Sequence, residues 1–297
     1  MTISTNHRIG FIGLGKMGTP MCSRLKAAGF DVAAYVRNAA GRRKAETLGI
    51  PAVDSLAGIG SRADIVISAI LDDKALIDII AGPGGLAAHM KKGAILIETS
   101  TVSPAASAEV AGMLAQSGAA YLRSPVSGST ATAEAGALTA LVSGPQAAYE
   151  SALPVYAAFS KKQYHVGAAE QARYLKLALN AMVGATSALV GEALTLARSG
   201  GVELDAALEV INNSAVASPL IGYKTKMMTM GDYTPAFEVT GMMKDFDLAL
   251  GVGKQEHLPL PLIAQVRQQY EAAYAAGAAD KDFFVLVREA ARIAGIK

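Results

Sequence analysis

The chain of 297 residues has one cysteine, no tryptophan and four histidines. A single thiol, Cys22, excludes an internal disulfide and a cysteine-based metal cluster, and inside a helical pattern it reads as a small core residue. His7, His89, His165 and His257 have no metal-ligand spacing, and neither HExxH nor a paired-acid signature accompanies them, so no metal is expected. An excess of one charge sign is also missing. Lys and Arg number 27 against 25 Asp and Glu, a formal net charge of +2, and the basic residues are scattered. That argues against a nucleic-acid surface. Long apolar runs are scarce as well. MTISTNHR lacks the apolar core of a secretory leader. The uncharged stretch Leu177 to Gly191, bounded by Lys176 and Glu192, is shorter than the ~20 residues of a spanning helix. A buried helix, a cytoplasmic location and no membrane partner are expected.

What is present is apolar and periodic. Hydrophobic residues make up 52% of the chain, enough for a large core, and the length fits two domains or one large one. The most informative segment is RIGFIGLGKMGTPMCSRLKAAGFDVAAYVRNAA, residues 8–40. An apolar run ends in Gly13, Gly15 and Gly18, a helical pattern follows, and a second apolar run ends at Arg37. Strand, glycine turn, helix and strand make the first unit of a dinucleotide-binding fold. Gly13 permits the tight turn, Gly15 admits the pyrophosphate, and Gly18 lets the helix pack close. Leu14, Lys16 and Met17 share the loop, and the helix N-terminus offers N–H groups to phosphate.

The tip of the second strand discriminates between cofactors. NAD calls for an acid there and NADP for a cation. Here the residues are Val36, Arg37 and Asn38, with Arg42, Arg43 and Lys44 beyond. A guanidinium meets phosphate through paired, charge-assisted hydrogen bonds, so NADP(H) is expected. Arg42, Arg43 and Lys44 also suit a solvated helix face, whereas Arg37 is delivered by the strand.

Further apolar runs at 64–70, 94–98, 119–123, 138–143 and 162–166 alternate with helical patterns near 41–48, 73–81, 104–117 and 145–159. The alternation predicts a mostly parallel sheet covered on both faces. The character changes near Gly167. A helix of about 168–199, roughly 48 Å long at 1.5 Å per residue, precedes helices expected at 203–212, 216–230, 238–254, 260–276 and 280–294. The fold class is thus an α/β Rossmann-type N-terminal domain (1–166), a long interdomain helix and an all-α C-terminal domain (167–297). Ligands of such sheets lie at the strands' carboxyl ends, where the second domain is expected to complete the site.

Lys176 and Asn180 share a face of the long helix. A lysine among Tyr174, Leu175, Leu177, Ala178 and Leu179 either faces a cavity or snorkels to water. Asn180 reads as a substrate contact or an inter-helix polar contact. Ser127, Gly128 and Ser129 form a small-residue turn after Pro125, able to cradle an anion through N–H groups and the Ser127 hydroxyl, or simply a tight turn. Lys244 and Asp245 open a helical stretch as a charge pair. Met227, Met228, Met230, Met242 and Met243 read as irregular core filling.

Four motifs in order give the whole chain a resemblance to the β-hydroxyacid dehydrogenase family: GLGKMGTPM (13–21), SPVSGSTATAEAG (124–136), GAAEQARYLKLALN (167–180) and GDYTPAFEVTGMMKDFDLA (231–249). ETSTVSP (98–104) resembles the family's loop beside the nicotinamide. The resemblance implies hydride transfer between NADP(H) and a small carboxylate-bearing 3-hydroxy acid or semialdehyde. Lys176 would be the general acid/base, a role that suits a normally charged ammonium in reduction. Asn180 would hold the substrate, and Ser127, Gly128 and Ser129 its carboxylate. Ser100, Thr101, Leu71 and Lys244 would lie near the cofactor, although Leu71 also reads as core. Ser124 and Ser129 depart from the usual pattern and are expected to add hydroxyls near the pocket. A homodimer or homotetramer is implied. Imine reductases share the architecture but usually carry Asp or Tyr where Lys176 stands, and non-enzymatic relatives have lost the lysine. Both alternatives are therefore disfavoured.

Overall fold

The computed structural model describes residues 7–296, so most of the opening segment examined for a leader lies outside the described residues. The chain divides into two compact units between Lys176 and Leu177. The first contains β1 (Arg8–Ile12), α1 (Gly18–Ala27), β2 (Asp31–Tyr35), α2 (Ala39–Thr47), β3 (Ala52–Val53), α3 (Leu56–Arg62), β4 (Ile65–Ser68), α4 (Asp73–Ala81), β5 (Ile95–Glu98) and α5 (Pro104–Ser117). It continues with β6 (Ala120–Arg123), β7 (Val126–Ser127), α6 (Thr130–Glu134), β8 (Leu138–Val142), α7 (Gln146–Phe159) and β9 (Ser160–His165). Helix α8 (Gln171–Ser199) begins in this unit.

Six strands form a parallel sheet in the order β3-β2-β1-β4-β5-β6. The central strands β4 and β5 are buried along their whole length, which is why each reads as an unbroken apolar run. Alternate residues serve opposite faces. Ile9, Phe11, Ile65 and Ile67 belong to one apolar cluster with Met21, Leu25, Tyr156 and Phe159 of α1 and α7. Ile12, Val66 and Leu96 belong to another with Ile59, Leu76, Ile80, Val110 and Leu114 of α3, α4 and α5. Cys22 is fully buried in the first cluster.

The runs at 138–143 and 162–166 do not join the large sheet. They form a separate sheet with β7, ordered β7-β8-β9, in which β8 pairs antiparallel with β7 and parallel with β9. The break is local. Pro125 has no N–H to give a ladder, and Gly128 turns the chain at φ +140°. Pieces such as β3, α3 and α6 are too short to show periodicity. Their starts are marked instead by capping residues, Ser55 for α3 and Ser129 for α6.

The second unit continues α8 and adds α9 (Leu204–Asn212), α10 (Pro219–Met230), α11 (Val239–Gln255), α12 (Pro261–Ala273) and α13 (Leu286–Ile293). Its core gathers Leu194, Leu208, Met228, Met242, Phe246, Tyr270 and Phe284. Of the five methionines, Met230 is exposed rather than core. The expected helix 260–276 ends early because residues 274–278 widen into a π turn around Gly277, at φ +83°. A buried ion pair, Lys224 to Asp282 at 2.7 Å, ties α10 to the turn before α13. The Lys224 ammonium also lies 5.0 Å from the Phe283 ring centre. By length and composition α8 could cross a membrane, with nearly half its most apolar window buried in the protein.

Candidate active site

The strand order reverses between β1 and β4, the place where open α/β sheets bind ligands. Gly13 ends β1 at φ +96°, and a Cβ there would lie 2.1 Å from the Ala69 carbonyl oxygen beyond β4. A Cβ on Gly18 would lie 1.9 Å from the Gly13 carbonyl oxygen. Neither position tolerates a side chain. A Cβ on Gly15 meets nothing within 4 Å, so this glycine faces open space. Helix α1 starts here with no side-chain cap and no acid in its first turn, whereas Asn38, Ser55, Asp72 and Ser103 cap α2, α3, α4 and α5. An uncapped helix start beside an open glycine suits a pyrophosphate. Leu14 is buried, Lys16 exposed and Met17 half-buried. The Leu14 carbonyl accepts from the Lys44 ammonium at 2.9 Å, which ties α2 to the loop.

At the end of β2, Arg37 and Asn38 are exposed. The Asn38 side-chain oxygen (Oδ1) already accepts from Gly41 N–H at 2.9 Å as the α2 cap. Val36, Arg37, Asn38, Ala39, Arg42, Arg43, Glu46 and Asp54 line a cavity of about 400 Å³. The acid lacking at the tip of β2 arrives from beyond β3: Asp54 forms an ion pair with Arg42. The lining still sets three guanidiniums against two carboxylates.

Leu71 is 75% exposed beyond β4, so it is not core. Ser100 is buried, and its hydroxyl accepts from Ile70 N–H at 2.7 Å. Thr101 is half-buried. In the segment after β6, Ser127 is half-buried and Gly128 exposed. Ser129 caps α6, its hydroxyl accepting from Thr132 N–H at 3.3 Å. The expectation that Ser124 adds a hydroxyl to the pocket is corrected. Ser124 is fully buried and bonded to the Tyr156 hydroxyl, because it follows β6 directly with its side chain on the core face.

Lys176 and Asn180 are 8% and 9% exposed, one turn apart on α8 and on either side of the division between units. Within the second unit Asn180 donates its side-chain N–H to Asp245. Asp245 also pairs with Lys244 at 2.9 Å.

Four charged residues were not singled out in the sequence. Arg173 is fully buried and donates to Glu98 at 2.5 Å, the Ser100 carbonyl at 2.7 Å, the Tyr121 hydroxyl at 2.9 Å and the Ser107 hydroxyl at 3.2 Å. Burial opposes its charge, but Tyr121 and Glu98 more than offset that and raise its pKa. Arg123 donates to Glu170 at 2.7 and 2.5 Å. The available signal was a lone charge ending each of two apolar strands, AILIE and AAYLR.

A family profile described as the NAD binding domain of 6-phosphogluconate dehydrogenase matches residues 8–167. A second, described as NAD-binding of NADP-dependent 3-hydroxyisobutyrate dehydrogenase, matches 171–290. The chain is 34% identical to the L-threonate dehydrogenase of Cupriavidus necator, over 95% of this chain and 96% of that protein. It is 31% identical to the 2-(hydroxymethyl)glutarate dehydrogenase of Eubacterium barkeri, over 97% and 96%. Among solved structures it is similar to the 3-hydroxyisobutyrate dehydrogenase of Mycobacterium tuberculosis with L-serine, at 25% identity and a TM-score of 0.88, covering 95% of this chain and 98% of that one.

Proposed function

The chain belongs to the β-hydroxyacid dehydrogenase family, NAD(P)-dependent oxidoreductases of the CH–OH group, and from that premise we propose that it transfers hydride between NADP(H) and a small 3-hydroxy acid or semialdehyde, with Lys176 as general acid/base. The observation that carries this reading is Lys176 itself, a buried amine on an apolar helix, one turn before an oriented asparagine.

When bound, the nicotinamide supplies or accepts the hydride. In reduction, Lys176 gives a proton to the oxygen that gains negative charge, and its ammonium stabilises that charge as it develops. Asp245 accepts from the Asn180 side-chain N–H and so orients that amide, and Asn180 is assigned to hold the substrate. The Ser127 hydroxyl and the N–H groups of Gly128 and Ser129 hold the substrate carboxylate. Arg37, in a cavity where guanidiniums outnumber carboxylates, supports NADP(H) over NAD(H). Leu71, Ser100, Thr101 and Lys244 are assigned to the nicotinamide side by family position.

We further propose a cytoplasmic homodimer or homotetramer. Met182, Leu189 and Leu196, seven apart on α8, are all exposed and support an oligomeric contact along that helix. The test of function is NADPH absorbance across a panel of small oxo acids, with the wild type and Lys176→Ala. Turnover is expected for a carboxylate-bearing semialdehyde and a loss of 10²-fold or more in the variant. Unchanged turnover in a folded Lys176→Ala would refute the assignment.

A further inference from the structure

Glu98 and Arg123 are register partners on β5 and β6, so they stand side by side at the carboxyl edge of the sheet. They carry opposite charges. Glu170 and Arg173, three apart where α8 begins, also carry opposite charges, in the order that matches. Arg173 meets Glu98, and Glu170 meets Arg123. We propose that this crossed set of two ion pairs is a register clamp that positions Lys176 relative to the strand-end segments carrying Ser100 and Ser127. The inference rests on the functional reading above.

The geometry favours a positioning role over simple adhesion. Buried pairs add little net stability compared with apolar packing, but they penalise any arrangement that separates them. Sliding α8 by one turn, or rotating it, would remove Arg173 from Glu98 and leave both buried without a counter-charge. The opposite polarity of the second pair forbids an exchange of partners. Arg173 also reaches the nicotinamide-side loop directly through the Ser100 carbonyl, and Glu98 accepts from Ser100 N–H at 2.9 Å. Loop and helix are therefore fixed by the same pair of residues. The start of α8 is held from the end of β8 too, where Ser143 Oγ donates to the Ala169 carbonyl at 2.6 Å and accepts from Ala172 N–H at 3.2 Å. Lys176 lies less than one turn beyond Arg173, so a displacement of this first turn is passed to the amine. A shift of about 1 Å at a reacting group can cost 10²-fold in rate.

Arg173→Lys keeps the charge but cannot span four acceptors with one ammonium. With the wild type alongside, the experiment measures kcat and KM for the best oxo acid, NADPH affinity by fluorescence, and the cooperative melt. The expected result is a fall in kcat of about 10- to 100-fold, clearly larger than the change in KM or in NADPH affinity, since Arg173 reaches the cofactor side only through the Ser100 carbonyl. A purely structural role would lower the folded fraction without this split. Glu98→Gln is the second variant, in case Arg173→Lys does not fold, and should show the same split more weakly. A folded variant with wild-type kcat overturns the inference. A wild type inactive on every oxo acid overturns the functional reading, and the inference with it.

Discussion

Arg37→Ala should weaken NADP(H) and leave NAD(H) nearly unchanged. The residue ends the run that follows β2 and lines the cavity with Arg42 and Arg43. Arg42 already answers Asp54, so it contributes less to an incoming phosphate than its charge suggests. A hydrogen bond to a charged group is worth ~1.5–3 kcal/mol when shielded, and the exposure of Arg37 reduces that to about 1–2 kcal/mol. The expected loss is therefore about 5- to 30-fold in NADPH affinity. Asp54→Asn is the reciprocal test. It removes one of two carboxylates facing three guanidiniums and releases Arg42, so NADPH should bind a few-fold tighter while NADH barely responds. Both effects should shrink with salt, because exposed charges are screened beyond ~8 Å at 0.15 M. Fluorescence titration with both cofactors at two ionic strengths reads all of this. Equal losses for NADPH and NADH in Arg37→Ala, or a wild type that prefers NADH, would refute the reasoning.

Other outcomes follow from buried groups. Lys224→Met leaves Asp282 buried without its cation and should cost about 3–5 kcal/mol in urea unfolding; a cost under about 1 kcal/mol would mean that the pair is not buried as described. Burial pushes the Cys22 thiol from 9.0 up to about 12, so a thiol reagent near pH 8 should label the unfolded chain and spare the native one. Hydrogen bonding from Arg8 lowers the Asp64 pKa below 3.8, against the opposing effect of burial, so this group stabilises the fold above that pH and the gain is lost as pH falls below it. Asp64→Asn should therefore melt about 2 °C lower at neutral pH, and the gap from wild type should close in acid.

How much of this could be read from sequence depends on the range of the interaction. The glycine loop was legible because Gly13 and Gly18 answer to atoms nearby in the chain or on the adjacent strand. Helices α4 and α5 were legible to the residue, since Asp72 and Ser103 cap them locally and Gly118 closes α5. The separate three-stranded sheet was not, because a strand's apolar run does not say which sheet it joins. The roles of Asn38 and Ser124 were also hidden. Asn38 stood where a cofactor contact was also expected, which masked a cap as local as those of Asp72 and Ser103; Ser124 bonds to Tyr156, 32 residues away.

The charges at the strand ends were visible but mute for the same reason. In isolation, Glu98 and Arg123 are two polar residues closing two apolar runs, and solvated ends would be an adequate reading. Their meaning depends on a register that only the folded sheet supplies, which sets them side by side opposite Glu170, just before α8, and Arg173 in its first turn. A carboxylate buried alone at that edge would be costly to keep charged. Glu98 is fully buried there with the Arg173 guanidinium as its counter-charge. The amine proposed as the general acid/base is carried on the same first turns and inherits that constraint, which ties the position of Lys176 to the first unit's sheet as well as to its own helix.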